Sequence, residues 1–427
     1  MELQGLSTDQ APPLSVPIRF FITAPLFGIL AGILIFFSNA TTLMNRYSVE
    51  SIVITHILTI GFLGFIMLGS LTQMLPVLAG AKISKVQTIS MTSYILLTIG
   101  CIFMFLGLIL DNNLFSTISF FTLGSGFLLI LTAIALGIKT VKNFTPTIKG
   151  MRVSLIFAIS IVFMGLFLLY GYISKDMTSL HLLIADIHSV WAIFGFAGIL
   201  IISVAFQVLP MFYVAPKFKS FCKQNVVNII ATGLTLWLLL NIFLPEYAFI
   251  AKIWIALFFL AFATTVWIKL NKRRRPISDV TVWYWRIASV FLMLGVSLWI
   301  TDEYFKHEYI VMVAILIGGG FILSIMIGML YKIIPFLVWF HLNAMGYMSI
   351  PTMVEMIDKK LARLQFMLFF ISLIGFIFSF YYHELLKVSA LSFIFSMIIL
   401  QYNILKPIQL YIKTKKTKPD FDMSLFN

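Results

Sequence analysis

Twelve apolar runs constrain this chain more than any single motif in it. They fall near residues 18–37, 51–78, 88–110, 115–138, 153–173, 181–213, 224–244, 248–269, 283–300, 309–340, 364–382 and 388–410, separated by charge, proline or asparagine. A helix needs roughly 20 apolar residues to cross a bilayer. Backbone groups find no partner in lipid, so runs of this kind span as helices. Hydrophobic residues make up 61% of the chain and charged residues 11%, against about 45–50% and 25% in soluble domains. Forty-three phenylalanines cannot be hidden inside a soluble fold of 427 residues, so a soluble enzyme is excluded. The expected fold class is all-α, a polytopic membrane protein of about twelve transmembrane helices in contact with the lipid bilayer. The second, sixth and tenth runs exceed the others, which suggests tilt or extension past the membrane surface.

The positions of Lys and Arg predict the orientation. Twenty-four of the 30 lie before the first run, in the even loops or in the tail. Among them are Arg19, Lys82, Lys85, Lys142, Arg275, Lys359 and Lys413. The odd loops hold five, Arg46, Lys175, Lys252, Lys306 and Lys387, and Lys332 lies inside a run. Basic residues mark cytoplasmic loops, so both termini are expected to be cytoplasmic, in a bacterial inner membrane. The net charge of +14 has the same origin, and no nucleic-acid partner is expected. The first 17 residues include Ala11-Pro12-Pro13 and lack the basic n-region and cleavage site of a signal peptide. The first helix is therefore expected to stay in the mature protein. Cys101 and Cys222 share no CxxC spacing and give no disulfide or zinc signal.

An internal repeat carries most of the architectural information. The segments HILTIGFLGFIMLGSLTQMLP from His56, VWAIFGFAGILIISVAFQVLP from Val190 and ILIGGGFILSIMIGMLYKIIP from Ile315 match G-F-x6-[GS]-x3-[QK]-x2-P without a gap. The matched sets are Gly61, Phe62, Gly69, Gln73 and Pro76; Gly195, Phe196, Ser203, Gln207 and Pro210; Gly320, Phe321, Gly328, Lys332 and Pro335. The offsets are 134 and 125 residues, about four spans each. One membrane domain over 1–427 is therefore expected, built of three pseudo-symmetric four-helix units at approximately 18–140, 151–270 and 280–410. A basic cytoplasmic tail follows at 411–427. The small residues admit close helix contact, and the prolines mark the cytoplasmic ends.

Histidine is the residue type with most chemical content here. His56 and His188 fall in the outer halves of the second and sixth spans, where an ionisable side chain is costly and tends to face an interior. His181, His307 and His383 lie at outer helix ends, and His341 at an inner end. A neutral imidazole at His56, five residues before Gly61, suits an axial haem ligand in an apolar slot; a hydrogen bond to a neighbouring helix is the structural reading. His181 and His188 are seven residues apart and share a helical face. They suggest a metal pair, with Asp186 between them on another side and further ligands due from a partner helix, or a hydrogen-bonded pair at the rim.

Gln73, Gln207 and Lys332 suggest a polar path, or in the case of Lys332 a side chain snorkelling to the surface. Gly318, Gly319 and Gly320 leave a gap for a planar ring or for a neighbouring helix. His307 with Asp302, Glu303 and Glu308 reads as a solvated loop cluster, and Tyr381, Tyr382 and Trp191 as interfacial aromatics. Walker, GxSxG, HExxH and HxxEH motifs are missing.

The stretch from His56 through Gly61-Phe62, Gly69 and Pro76 resembles the H-x4-G-[WF]-x6-G…P helix of C-type oxidases and nitric oxide reductases, in the haem-copper oxidase superfamily. RFFITAPLF at 19–27 with the following His-x4-Gly-Phe helix is also similar to the NnrS family of haem-associated membrane proteins. The resemblance implies twelve spans in three units with cofactors in the outer half. On it, His56 falls where a low-spin haem ligand is supplied and His188 where a copper ligand is supplied. The chain departs from the pattern in the tenth span, where Val313 and Ile315 replace an H-x-H pair, and no adjacent His-His pair occurs for copper. A standard oxygen or nitric oxide reductase is therefore not expected. The resemblance implies a degenerate member that binds haem, with copper as a second cofactor, in the handling of haem, copper or nitric oxide without turnover. The readings left open are a transporter or scaffold of small solutes without cofactor, and a subunit whose missing ligands come from another membrane chain.

Overall fold

The computed structural model describes residues 11–81, 83–141, 144–274, 279–305 and 307–421, apart from the side chains of residues 78 and 79. Lys82, Lys142, Arg275 and Lys306 of the charge pattern, residues 1–10 of the leader and residues 422–427 of the tail lie outside the described residues. Twelve helices among the described residues are long and apolar enough to cross a membrane. They are α1 Ser15–Phe37, α2 Val49–Val77, α3 Val86–Ile109, α4 Asn113–Lys139, α5 Pro146–Ser174, α6 Ser179–Tyr213, α7 Ser220–Phe243, α8 Pro245–Asn271, α9 Val280–Thr301, α10 Ile310–Ala344, α11 Lys359–Phe378 and α12 Leu385–Thr414. No strand occurs among these residues, so the protein is all-α and polytopic. α6 and α10 are the longest at 35 residues, but α2 at 29 is no longer than α5.

Several starts follow local chemistry. Ser48 Oγ accepts the Ser51 N–H ahead of α2, and Asn112 Oδ1 the Phe115 N–H ahead of α4. Asp279 and Asp358 each accept two backbone N–H groups ahead of α9 and α11. Each cap satisfies donors that the first turn leaves orphaned. α2 ends where Gly80 turns left-handed at φ 61°, as a C-terminal glycine allows. α6 ends at the equivalent repeat position, but the residue there is Val214, at φ 52°. A β-branched residue is strained in that region.

Polar contacts sort the loops onto two ends of the bundle. Arg46 before α2 pairs with Asp186 of α6, Lys175 after α5 with Asp111 after α3, and Lys252 of α8 with Glu303 after α9. All belong to the odd-loop end, which also carries His56 and His188. At the opposite, proline end the Arg274 N–H donates to Val214 O, and Asp420 Oδ2 accepts the Met348 and Ser349 N–H groups. The last turn of the chain is thus strapped to the loop between α10 and α11.

Neighbour relations recur every four helices. α1 packs on α2, α5 on α6 and α9 on α10; α3 pairs with α4, α7 with α8 and α11 with α12; α4 meets α5, α8 meets α9 and α12 returns to α1. Most buried are α6, at 72% of its most apolar window, and α2, at 67%; α10 and α9 follow at 61% each, against 28% for α5 and α7. Lipid gives apolar side chains no reason to leave it, so small residues decide which helices approach closely. Gly61, Gly195 and Gly320 face the rings of Phe27, Phe157 and Phe291, which come from α1, α5 and α9. One step along, Gly69, Ser203 and Gly328 sit against Phe21, Gly150 and Tyr284 of the same three helices. The repeat motif therefore spells one contact made three times.

Each inner helix is also locally π-helical over that motif: Ile57–Gly64 in α2, Trp191–Gly198 in α6 and Ile315–Leu323 in α10. Bonds from i to i+5 replace i to i+4 there, a rare form that concentrates at functional sites. Beyond the π stretches, the three inner helices, with Met151 of α5 and Trp285 of α9, line a narrow apolar cavity. Residues at equivalent repeat positions face it together: Met67, Ile201 and Met326 in one layer, and Ser70, Val204 and Met329 in the next.

Candidate functional site

The π stretch of α2 begins directly after His56, and that of α6 begins three residues after His188. Both histidines thus sit at the last ordinary turn before the helix widens. The structure brings the two rings together across α2 and α6, with centroids 6.2 Å apart and planes at 25°. At that separation near-parallel rings do not overlap face to face, since apolar contact falls near 3.5–4.0 Å.

The tautomer of His56 follows from its partner. Its Nδ1 lies 2.7 Å from the Ile52 carbonyl oxygen, which can only accept, so Nδ1 carries the proton and Nε2 keeps a free lone pair. A backbone carbonyl accepting from the other ring nitrogen is the usual partner of a metal-bound imidazole. His188 has a buried Nδ1 that closes no hydrogen bond, and its ring interacts with the Ile161 backbone of α5. Beside it stands Gly165 of α5, where a Cβ would meet the imidazole at 3.2 Å and nothing else. Above the pair, Arg46 Nη1 is 2.9 Å from Asp186 Oδ1, so the same two helices are tied by an ion pair at their rim. Neither charge of that pair is left uncompensated near the imidazoles.

A centroid separation of 6.2 Å is what two imidazoles on one metal atom would show, whether a bare ion or the metal of a planar ring. Two metal–nitrogen bonds of about 2 Å each leave about 2 Å of the 6.2 Å centroid separation, one ring radius at either end. Among the described residues no group of three or more His, Cys, Asp and Glu is placed to hold a metal ion.

His181 goes elsewhere. Seven residues of helix separate it from His188 by roughly 10 Å of rise, and it packs against Tyr172 and Phe167 of α5 over Gly171. His188 therefore meets His56, on another helix, and the two histidines of α6 each contact α5 at a different level. His341 has a buried Nε2 without a partner at the far end of α10. His307 turns left-handed at φ 65° in the loop before α10.

Three sequence expectations change. The cluster around His307 is not simply solvated, because Asp302 is fully buried and accepts the Tyr309 N–H at 2.8 Å. Glu303 pairs with Lys252 at 2.7 Å. Trp191 is not an interfacial belt residue: it packs edge-on to Phe157 at 4.9 Å and donates to Leu234 O. Of the three glycines in α10, Gly320 meets Phe291 and Gly319 meets Leu373, while Gly318 faces open space.

The polar repeat position also resolves unequally. Lys332 Nζ lies 2.5 Å from Asp279 Oδ2 and over the Tyr213 ring, so it is paired rather than snorkelling. Burial alone would raise the Asp279 carboxyl, but Lys332 and the bonds from Thr281 and Val282 hold it below its ordinary value. Gln73 is buried with Oε1 unpartnered. A buried network that sequence reading missed joins α9 to α12 in the proline half. Gln365 Oε1 accepts from Tyr284 at 2.6 Å and Tyr331 at 3.3 Å, Gln365 Nε2 donates to Ser396, and Asn403 Nδ2 donates to Tyr331.

No protein-family model matches this chain, and no curated protein matches it.

Proposed function

We propose that this protein binds one haem between α2 and α6, with His56 and His188 as its axial ligands. The observation that carries the reading is the ring geometry: 6.2 Å between centroids, planes at 25°, and Nδ1 of His56 turned away to Ile52 O. Haem held by His56 and His188 would supply a redox-active iron to which both histidines are committed. That favours holding haem, passing single electrons or sensing over turnover of a bound gas, which requires an open position. The resemblance of the His56 helix to C-type oxidases and nitric oxide reductases supports the same cofactor.

What the chain itself does at this site is orient and exclude. Ile52 O fixes the His56 tautomer, the Arg46–Asp186 pair ties the two helices at the rim, and Gly165 keeps the space beside His188 open. The recurring neighbour relations and the three π stretches support three related four-helix units. The Lys and Arg asymmetry supports a bacterial inner membrane, with both termini cytoplasmic and the histidine pair near the outer face.

The test is an absorption spectrum of the detergent-purified protein, oxidised and reduced, with haem quantified on the same sample. A Soret band near one haem per chain, lost in His56→Ala, is expected. A protein that stays colourless after haem reconstitution, or a His56→Ala variant with full occupancy, overturns the assignment.

The second reading, a carrier of small solutes, is favoured by the cavity between α2, α6 and α10. Gln73, Gln207 and Lys332 follow it at one repeat level, and substituting them should alter uptake while leaving the spectrum unchanged.

A further inference from the structure

We propose that the cavity between α2, α6 and α10 is a second metal site, which takes a soft monovalent ion, Cu(I), on methionine thioethers. Of its fifteen lining residues, five are methionines: Met67, Met74, Met151, Met326 and Met329. Methionine makes up 21 of the 427 residues of the chain, so a lining drawn at random would hold fewer than one. The cavity lies in the proline half: eleven residues, roughly 16 Å of helix, separate Met67 from His56.

The lining selects the ion. No carboxylate, imidazole or thiol faces the cavity, so calcium, magnesium and zinc lack the oxygen and nitrogen ligands they require. Thioethers are soft and neutral, and among biological metals they favour Cu(I). A single positive charge needs surroundings with no uncompensated cation. Lys332, one residue from the lining Ile333, is neutralised by Asp279 at 2.5 Å.

The sulfurs can also gather. Met67 and Met326 occupy equivalent positions on α2 and α10, so they face the cavity at one level, and Met329 follows one turn along, about 4.5 Å of rise. Tyr213 OH donates to Met329 Sδ at 4.0 Å, a weak contact that gives way when the thioether turns to the ion. Methionine has three rotatable bonds and adapts its sulfur position at low cost. Packing alone would be served equally well by leucine, and that equivalence makes the test clean.

The full-length protein in detergent is titrated with Ag(I), a redox-inert stand-in, and then with Cu(I) under anaerobic reducing conditions. The comparison variant is Met67→Leu/Met326→Leu/Met329→Leu, a near volume-conserving change. One ion per chain is expected in the wild type, with affinity lowered at least about tenfold in the triple variant and retained in His56→Ala. Absorption-edge spectroscopy of the wild-type complex should report sulfur scatterers only. No binding by the wild type, equal binding by the triple variant, nitrogen scatterers, or loss of binding in His56→Ala would each overturn the proposal. The last two would place the ion at the histidine pair. If the triple variant fails to fold, the wild-type spectrum decides alone.

Discussion

The ring of Phe157 occupies the volume in which a side chain on Gly195 would stand: a Cβ there would lie 2.6 Å from the ring. Phe27 and Phe291 stand in the same relation to Gly61 and Gly320. Gly195→Ala is therefore expected to cost about 1–3 kcal/mol through overpacking, and Phe157→Leu in the same chain to recover part of it. Gly318, with open space beside it, should accept alanine at no cost or with a gain of up to about 1 kcal/mol. Thermal unfolding in detergent of the wild type and the three variants checks the contrast; equal losses at Gly195 and Gly318 would contradict it.

The two ring partners should behave as one unit. His56→Ala and His188→Ala are each expected to lower haem affinity by at least the roughly 10–100-fold that outer-shell partners command. The double variant should lose little more than either single, because one iron needs both. His181→Ala, which removes only a contact with α5, should keep its haem. Haem titration of the four proteins gives the answer.

Acid should weaken the tie between α9 and α10. The Asp279 carboxyl lies below its ordinary value of 3.8, so its contribution is fully present above that value and is lost as pH falls through the lower folded value. Melting temperatures of the wild type and Asp279→Asn are expected to differ at pH 7, and the gap to start narrowing only once pH falls below about 4. A gap that persists unchanged to pH 3 would remove the ion pair from the account.

Gln365 is expected to be the costliest single substitution in its network. Gln365→Leu leaves the Tyr284 and Tyr331 hydroxyls without their shared acceptor, at about 1–3 kcal/mol. Tyr331→Phe removes the two longest bonds of the network, to Gln365 and from Asn403, and should cost less, about 1 kcal/mol at about 0.6 kcal/mol for each polar contact between membrane helices. The ranking in chemical denaturation is the readout, and a reversed order would contradict the shared acceptor.

Val214 offers a change in the other direction. Its left-handed backbone costs roughly 1–2 kcal/mol in a residue with a Cβ, offset in glycine by about 0.5–1 kcal/mol of entropy. Val214→Gly should gain about 0.5–1 kcal/mol, read as a raised melting temperature. A fall would mean that the packing of the valine side chain, or the chain entropy of glycine, outweighs the strain.

The helices and their order were legible because unbroken apolarity is a local property, and the motif that matches from Gly61 to Gly320 marked the three inner helices. The depth of His56 and His188 was legible too. Their pairing was not, because it depends on how α2 turns against α6, and a regular wheel loses phase in a π stretch that apolar residues alone do not announce. The role of Trp191 was misread for the same reason: an aromatic near a membrane surface reads as belt until its partner, Leu234 of α7, is known. Lys332 found Asp279 fifty-three residues away, beyond the reach of any spacing rule. Likewise Phe157 and Phe291 lie on helices without a motif, and Phe27 only closes the RFFITAPLF stretch; contact with the repeat glycines is what distinguishes the three from the other phenylalanines.

The widened turns after His56 and before Gly195 give the length of the chain itself a meaning. Removing one residue from Ile57–Gly64 lets ordinary i to i+4 bonding close and turns everything before it by about 100°. His56 would then swing off its partner while the proline half, with its cavity and the Lys332–Asp279 tie, kept its packing. Single-codon deletions in these stretches are thus a route by which a lineage of such proteins can shed or regain the histidine pair in one step, leaving the scaffold in place.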